Sequence, residues 1–193
     1  LGFTDLAKEV YRALIVKFPK EDLFKVYLAE ILLNDGDEDD GLSLLYSVSH
    51  DSSAYLDSLL VQADYYQTSG LIETAKDKLL QALKIAPEED AVKFGLAELD
   101  YLSGDYEQAL ALYKDLVQRQ ETFGEVNLNQ RLFATNAKMG NYEQAAEIIR
   151  KRSDSIFDID SKYEAGLVML SVGDDDKAIK FLDEVIEQSP DYV

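Results

Sequence analysis

Apolar residues recur along the chain at helical spacing. Val26, Ala29, Ile31, Leu32 and Leu33 form one such set, and Leu79, Ala82, Leu83 and Ile85 form another. The sets are punctuated by glycines in a fixed phase. Gly2, Gly36, Gly70, Gly104, Gly140 and Gly173 are separated by 34, 34, 34, 36 and 33 residues. Five residues after each glycine the side chain is small: Ala7, Gly41, Ala75, Ala109, Ala145 and Ala178. Nine residues after each it is large: Tyr11, Leu45, Leu79, Tyr113, Ile149 and Leu182. Pro19, Pro87 and Pro190 each fall 17 residues past a marker glycine. Glycine suits the residue just beyond a helix end, and proline stops the helix that follows. Acidic residues after Pro87 suit the positive end of a new helix. One period therefore predicts helix, tight turn, helix, short loop. The small residue lets the two helices approach, and the large one fills the space between them.

A period near 34 residues resembles the tetratricopeptide repeat family. Small residues stand seven before the turn glycine at Ala29, Ala63, Ala97 and Gly166. The turn Gly-Asp-Tyr-x-x-Ala is matched at Gly104 to Ala109 and nearly so at Gly140 to Ala145. The resemblance covers essentially the whole chain. It implies an all-α fold, a right-handed α-solenoid of stacked helix–turn–helix repeats with about eleven helices. The boundaries are a partial repeat over 1–21 and repeats near 22–55, 56–89, 90–123, 126–158 and 159–192. No polar capping helix is visible at either end, so the reading expects a longer parent chain or self-association through uncapped ends. The fourth complete repeat departs from the pattern. Phe133 stands where a small residue is expected, and Arg152 and Ser153 where apolar ones are expected; the two-residue excess is assigned to the loop around Thr122 to Glu125. Stacking there is expected to be displaced or kinked. Gly41 replaces Ala in the first complete repeat, at a helix-propensity cost of roughly 1 kcal/mol.

Composition narrows the chemistry. Against 38 Asp and Glu there are 19 Lys and Arg, a formal charge of −19 over 193 residues. That field disfavours nucleic acid and anionic membranes. With no Cys there is no disulfide, thiolate nucleophile or Cys-based metal centre. No apolar run is long enough to span a bilayer and no signal peptide is evident, so a cytoplasmic location without membrane insertion is expected. The acidic run Asp35 to Asp40 fails the calcium-loop pattern, and Gly36 to Gly41 lacks the Lys of a phosphate loop. His50, the single histidine, is read at a helix end. Tyr11, Tyr106, Tyr113 and Tyr142 fall at packing phases. No metal or cofactor is expected, and no catalytic residue is assigned.

The resemblance also implies where partners bind, because the first helix of each pair lines the concave face. Carried over by phase, the groove comprises Val26, Glu30, Leu33, Asp57, Leu60, Asp64, Gln67, Phe94, Glu98, Tyr101 and Tyr163. Carboxylates stand beside apolar and aromatic rows in the first three complete repeats. The last two repeats add Gln130, Ala134, Asp160 and Leu167 and are more neutral. The residues with which some relatives clamp an acidic chain terminus are absent from these rows. The expected function is a non-enzymatic protein–protein interaction scaffold for a basic or amphipathic segment. The alternatives are a chaperone-like holder of hydrophobic segments and the recruiting arm of a larger multidomain protein. Charge placement sharpens the first reading: from Val26 through Ala75 there are ten acidic residues and no Lys or Arg.

Overall fold

The computed structural model describes residues 2–151 and 158–191. Among the described residues the chain forms eleven helices and two short strands. In order these are α1 (Phe3–Lys17), α2 (Leu23–Asn34), α3 (Glu38–Tyr46), α4 (Tyr55–Thr68), α5 (Ile72–Ile85), α6 (Asp90–Ser103), α7 (Tyr106–Val117), β1 (Thr122–Phe123), β2 (Val126–Asn127), α8 (Leu128–Lys138), α9 (Tyr142–Lys151), α10 (Ile159–Ser171) and α11 (Asp175–Gln188). Arg152 and Ser153 lie outside the described residues.

The glycine phase has a backbone cause. Gly36, Gly70, Gly104, Gly140 and Gly173 take φ of +85°, +75°, +84°, +72° and +76°. The residue after each donates its N–H to the carbonyl five back. These bonds run from Asp37 to Leu32, Leu71 to Tyr66, Asp105 to Asp100, Asn141 to Asn136 and Asp174 to Met169, at 2.8–2.9 Å. This is the longer bond of the Schellman motif, which satisfies a carbonyl left open at the helix end. Gly2 differs. It sits at φ −70° as the N-cap of α1, where its N–H meets the Asp5 carboxylate at 3.2 Å.

The helices gather into two compact units, Leu1–Leu99 and Asp100–Val193, with the boundary inside α6. In the first, α2 packs on α1, α3 and α4, and α4 packs on α5. Its core joins Val26, Ala29, Leu45, Val48 and Ala54. Gly41 is there for space: an added Cβ would come within 2.7 Å of Leu33 Cγ and 3.2 Å of the Ala29 carbonyl oxygen. Gly95 likewise leaves room for Leu79. Asp22, only 7% exposed, fastens the connection between α3 and α4 to the start of α2. It accepts from the Ser49 N–H at 3.1 Å and from Lys25 Nζ at 2.7 Å, while Lys25 also donates to the Ser47 carbonyl at 3.2 Å. Burial pulls the Asp22 carboxyl upward, but the Lys25 and Ser49 bonds and the Lys25 charge outweigh it, and the net shift is downward. His50 lies in the same connection and packs on the Tyr55 ring at 4.5 Å. Part of the acidic turn is neutralised from α1, whose Lys8 reaches Asp35 at 2.6 Å and Asp37 at 3.1 Å.

In the second unit, α8 packs on α7, α9 and α10, and α10 packs on α9 and α11. Phe133 is fully buried in place of the expected small residue. It shares its core with Ala137, Ala145, Ala146, Ala165 and Ala178, whose small side chains leave the volume its ring fills. The loop assigned the extra residues is an antiparallel pair, Thr122 opposite Asn127 and Phe123 opposite Val126, turning at Gly124. Asn127 ends that pair and caps α8, accepting from the Asn129 and Gln130 N–H groups at 2.9 and 3.3 Å. Of the tyrosines read as packing residues, Tyr113 is fully buried, Tyr11 and Tyr106 are half-buried, and Tyr142 is exposed.

Candidate partner-binding surfaces

The first-unit rows present an uneven surface. Glu30, Asp57 and Asp64 are exposed, and Leu33, Leu60, Gln67, Phe94 and Glu98 are half-buried. Val26 is corrected out of the binding face. It is 2% exposed, because the connection after α3 brings Val48 and Ala54 into the core beside it. Leu33 is partly committed to the same core, lying against Gly41. Asp57 sits in the first turn of α4, where the positive helix end already favours a carboxylate. Glu30 and Asp64 have no such local explanation. They hold the same turn-relative position on α2 and α4, which pack together, and both point to solvent.

The second unit holds a cavity of about 430 Å³ between α8 and α10, lined also by Tyr101. Its volume falls in the roughly 300–1,000 Å³ range of sites that take side chains and small ligands. Of the eleven groove residues expected from the sequence, Tyr101 and Tyr163 line it, accompanied by Gln130, Ala134, Asp160 and Leu167 from the same rows. Arg131, Lys138, Asp158, Ser161 and Glu164 complete the lining and were outside the expected set. A signal for them exists in the repeat. Arg131 and Glu164 both stand nine residues before a turn glycine, where the earlier repeats hold Tyr27, Val61 and Gly95.

Hydrogen bonds fix one end of this cavity. Asp158 caps α10 by accepting from the Ser161 N–H at 2.8 Å. Gln130 Nε2 reaches across from α8 to Asp158 at 3.0 Å and to the Ser161 hydroxyl at 2.8 Å. Burial raises the Asp158 carboxyl, the Ser161 and Gln130 bonds and the Arg131 charge lower it, and the net shift is downward. At the other end Lys138 meets Glu164 at 3.5 Å. Tyr101 packs edge-on against Tyr106 at 5.5 Å, and burial pushes its hydroxyl upward.

Repeated left-handed glycine turns, paired helices and small residues at the close approaches define a helix–turn–helix repeat protein. The chain belongs to the tetratricopeptide repeat family. Residues 67–121 match the YpiA-like tetratricopeptide repeats, and residues 160–192 match a tetratricopeptide repeat. It is 32% identical over 175 residues to the TPR repeat-containing protein YpiA of Bacillus subtilis (strain 168), across 91% of this chain and 41% of that protein. The chain thus spans about two fifths of the length of this relative. Among solved structures it resembles YrrB, described as a TPR protein with an unusual peptide-binding site. The TM-score is 0.78 at 18% identity, covering 96% of this chain and 95% of that one. It also resembles MamA, with a TM-score of 0.73 at 17% identity, covering 90% and 94%. These likenesses establish the fold as an all-α solenoid of stacked repeats. Proteins of this family generally mediate protein–protein interaction and are generally non-enzymatic. Among the described residues no helix is long and apolar enough to cross a membrane.

Proposed function

We propose that this chain is a non-enzymatic interaction scaffold whose first unit binds a basic or amphipathic segment of a partner protein. The face comprises Glu30 and Asp64, with Leu60, Gln67, Phe94 and Glu98 as half-buried companions and Asp57 at the margin. One observation carries the reading: between Val26 and Ala75 ten acidic residues meet no Lys or Arg, and two of them repeat at one exposed position on adjacent helices. Lys8 offsets Asp35 and Asp37 at the turn, so the charge on the helix face is not spent there. Helices held by their own cores are preorganised, which lowers the ordering cost of binding. Apolar rows supply burial, and carboxylates supply steering and register. The peptide-binding site named for YrrB supports a peptide as the kind of occupant.

The test is charge reversal of Glu30, Asp64 and Glu98 to Lys in the whole chain, read as affinity for an amphipathic peptide bearing several lysines. The expected result is a loss of about tenfold or more, with an electrostatic share that falls as salt is added. Unchanged affinity removes the acidic face from the account. Binding that survives both reversal and high salt points instead to a holder of hydrophobic segments.

A further inference from the structure

We propose that the cleft lined by α1, α2 and α3 receives one tyrosine side chain from a partner protein. It is separate from the acidic face. Leu28 and Leu32 of α2 line it, each two residues from Glu30 and so about 160° away around the helix. They are only 3% and 2% exposed, and the cleft above them measures about 360 Å³. Ile15 of α1 and Leu44 of α3 add to its apolar lining, and Val16 beside them is 82% exposed. Arg12 on α1 and Asp40 on α3 are the charged residues of the lining. Among the described residues neither takes part in an ion pair. Lys8, one turn before Arg12, is already held by Asp35 and Asp37.

The next repeat shows what suits these positions. Arg12, Leu32 and Leu44 stand ten after, four before and eight after marker glycines, and Tyr46, Tyr66 and Lys78 hold the same phases one repeat on. There the three side chains meet. The Tyr46 and Tyr66 hydroxyls share a hydrogen bond at 2.6 Å, and Lys78 Nζ stands 5.0 Å from the centre of the Tyr46 ring. In the first cleft an arginine and two leucines replace them, the lining holds no aromatic ring, and the space is open. Its volume lies near the lower end of the roughly 300–1,000 Å³ range of binding sites. The two charges narrow the choice of occupant. Arg12 repels a basic side chain, and Asp40 repels an acidic one. A tyrosine is neutral. Its ring covers the leucines, removing roughly 150–250 Å² from water. The ring face suits the Arg12 guanidinium, and the hydroxyl donates to the Asp40 carboxylate.

The experiment titrates the whole chain with N-acetyl-tyrosine amide and with the matching phenylalanine and leucine amides, followed by methyl and backbone chemical shifts. The tyrosine probe is expected to bind with a Kd on the order of 1 mM and to shift Ile15, Leu28, Leu32 and Leu44. The phenylalanine probe should bind about tenfold more weakly, since it brings no donor to the carboxylate. Asp40 is exposed in the first turn of α3, so Asp40→Ala is readily tolerated. It should erase the preference for tyrosine and leave the phenylalanine affinity within about twofold, a change that a folding defect cannot produce. Three results overturn the proposal: no saturable shift at Leu28, Leu32 and Leu44, binding of the phenylalanine or leucine probe as tight as that of tyrosine, or equal weakening of both aromatic probes by Asp40→Ala. The lysine-peptide test at Glu30 and Asp64 concerns a different face, so the two proposals fail separately.

Discussion

Leu1–Leu99 holds 19 acidic and 9 basic residues, and Asp100–Val193 holds 19 and 10. Net charge barely separates the two units, yet their candidate surfaces are unlike. In the first, a stretch of 50 residues from Val26 to Ala75 contains no cation, and its acids repeat on neighbouring helices. In the second, cations and carboxylates alternate and meet across one cavity, as Lys138 and Glu164 do. Placement rather than total charge therefore sets what each surface accepts. The packing differs at one position. Both units keep a glycine under a leucine at a close approach, Gly41 under Leu33 and Gly166 under Leu182, but the second also admits Phe133 into a core that includes five alanines.

The largest expected effect sharpens that packing contrast. Phe133→Ala should cost about 3–5 kcal/mol, because five alanines cannot refill the vacated volume. Urea denaturation measures the loss, and hydrogen exchange should place it in Asp100–Val193 rather than in Leu1–Leu99. Loss spread evenly over the chain would erase the distinction between the units. Next comes Gly41→Ala, where a helix-propensity gain of about 1 kcal/mol opposes an overpacking cost of about 1–3 kcal/mol. The added carbon meets Leu33 and the Ala29 backbone, so net destabilisation is expected in thermal melts. Gly70→Ala meets no atom within 4 Å but must hold φ near +75°, a cost of about 1 kcal/mol.

The smallest effect is titration. Asp22 and Asp158 are both held below the ordinary Asp value of 3.8. Each stabilises the fold above that value, and the contribution is lost as pH falls through the lowered one. Asp22 depends on the Lys25 cation, whereas Asp158 depends mainly on Ser161 and Gln130. Added salt should therefore move the Asp22 titration, followed by carboxyl NMR, further than that of Asp158. Equal salt responses would remove this part of the contrast.

The repeat was legible because its punctuation is imposed by the backbone. A residue at φ near +80° is most easily glycine, so five turns announce themselves in sequence. At Gly41 the helix-propensity cost is legible in sequence, whereas the crowding by Leu33 is a tertiary contact that propensity does not contain. Val26 falls in the groove rows by phase, but the loop after α3 brings Val48 and Ala54 into the core beside it. Phe133 shows the reverse: its misfit is visible in sequence, while four of the five alanines that share its core lie on other helices. The α8–α10 cavity was half legible. Tyr101, Tyr163, Gln130, Asp160, Ala134 and Leu167 came from the expected rows. Arg131, Lys138 and Glu164 stand one position outside those rows, where only the two facing helices reveal that opposite charges meet.

The central claim is that acid placement makes the first unit a receptor for basic segments. It is tested most directly by amide-shift mapping with a lysine-bearing amphipathic peptide at low and high ionic strength. The account predicts shifts centred on Glu30, Asp64 and Glu98 that shrink as salt rises. Shifts confined to α8 and α10, or shifts at the first-unit face that do not respond to salt, would contradict it.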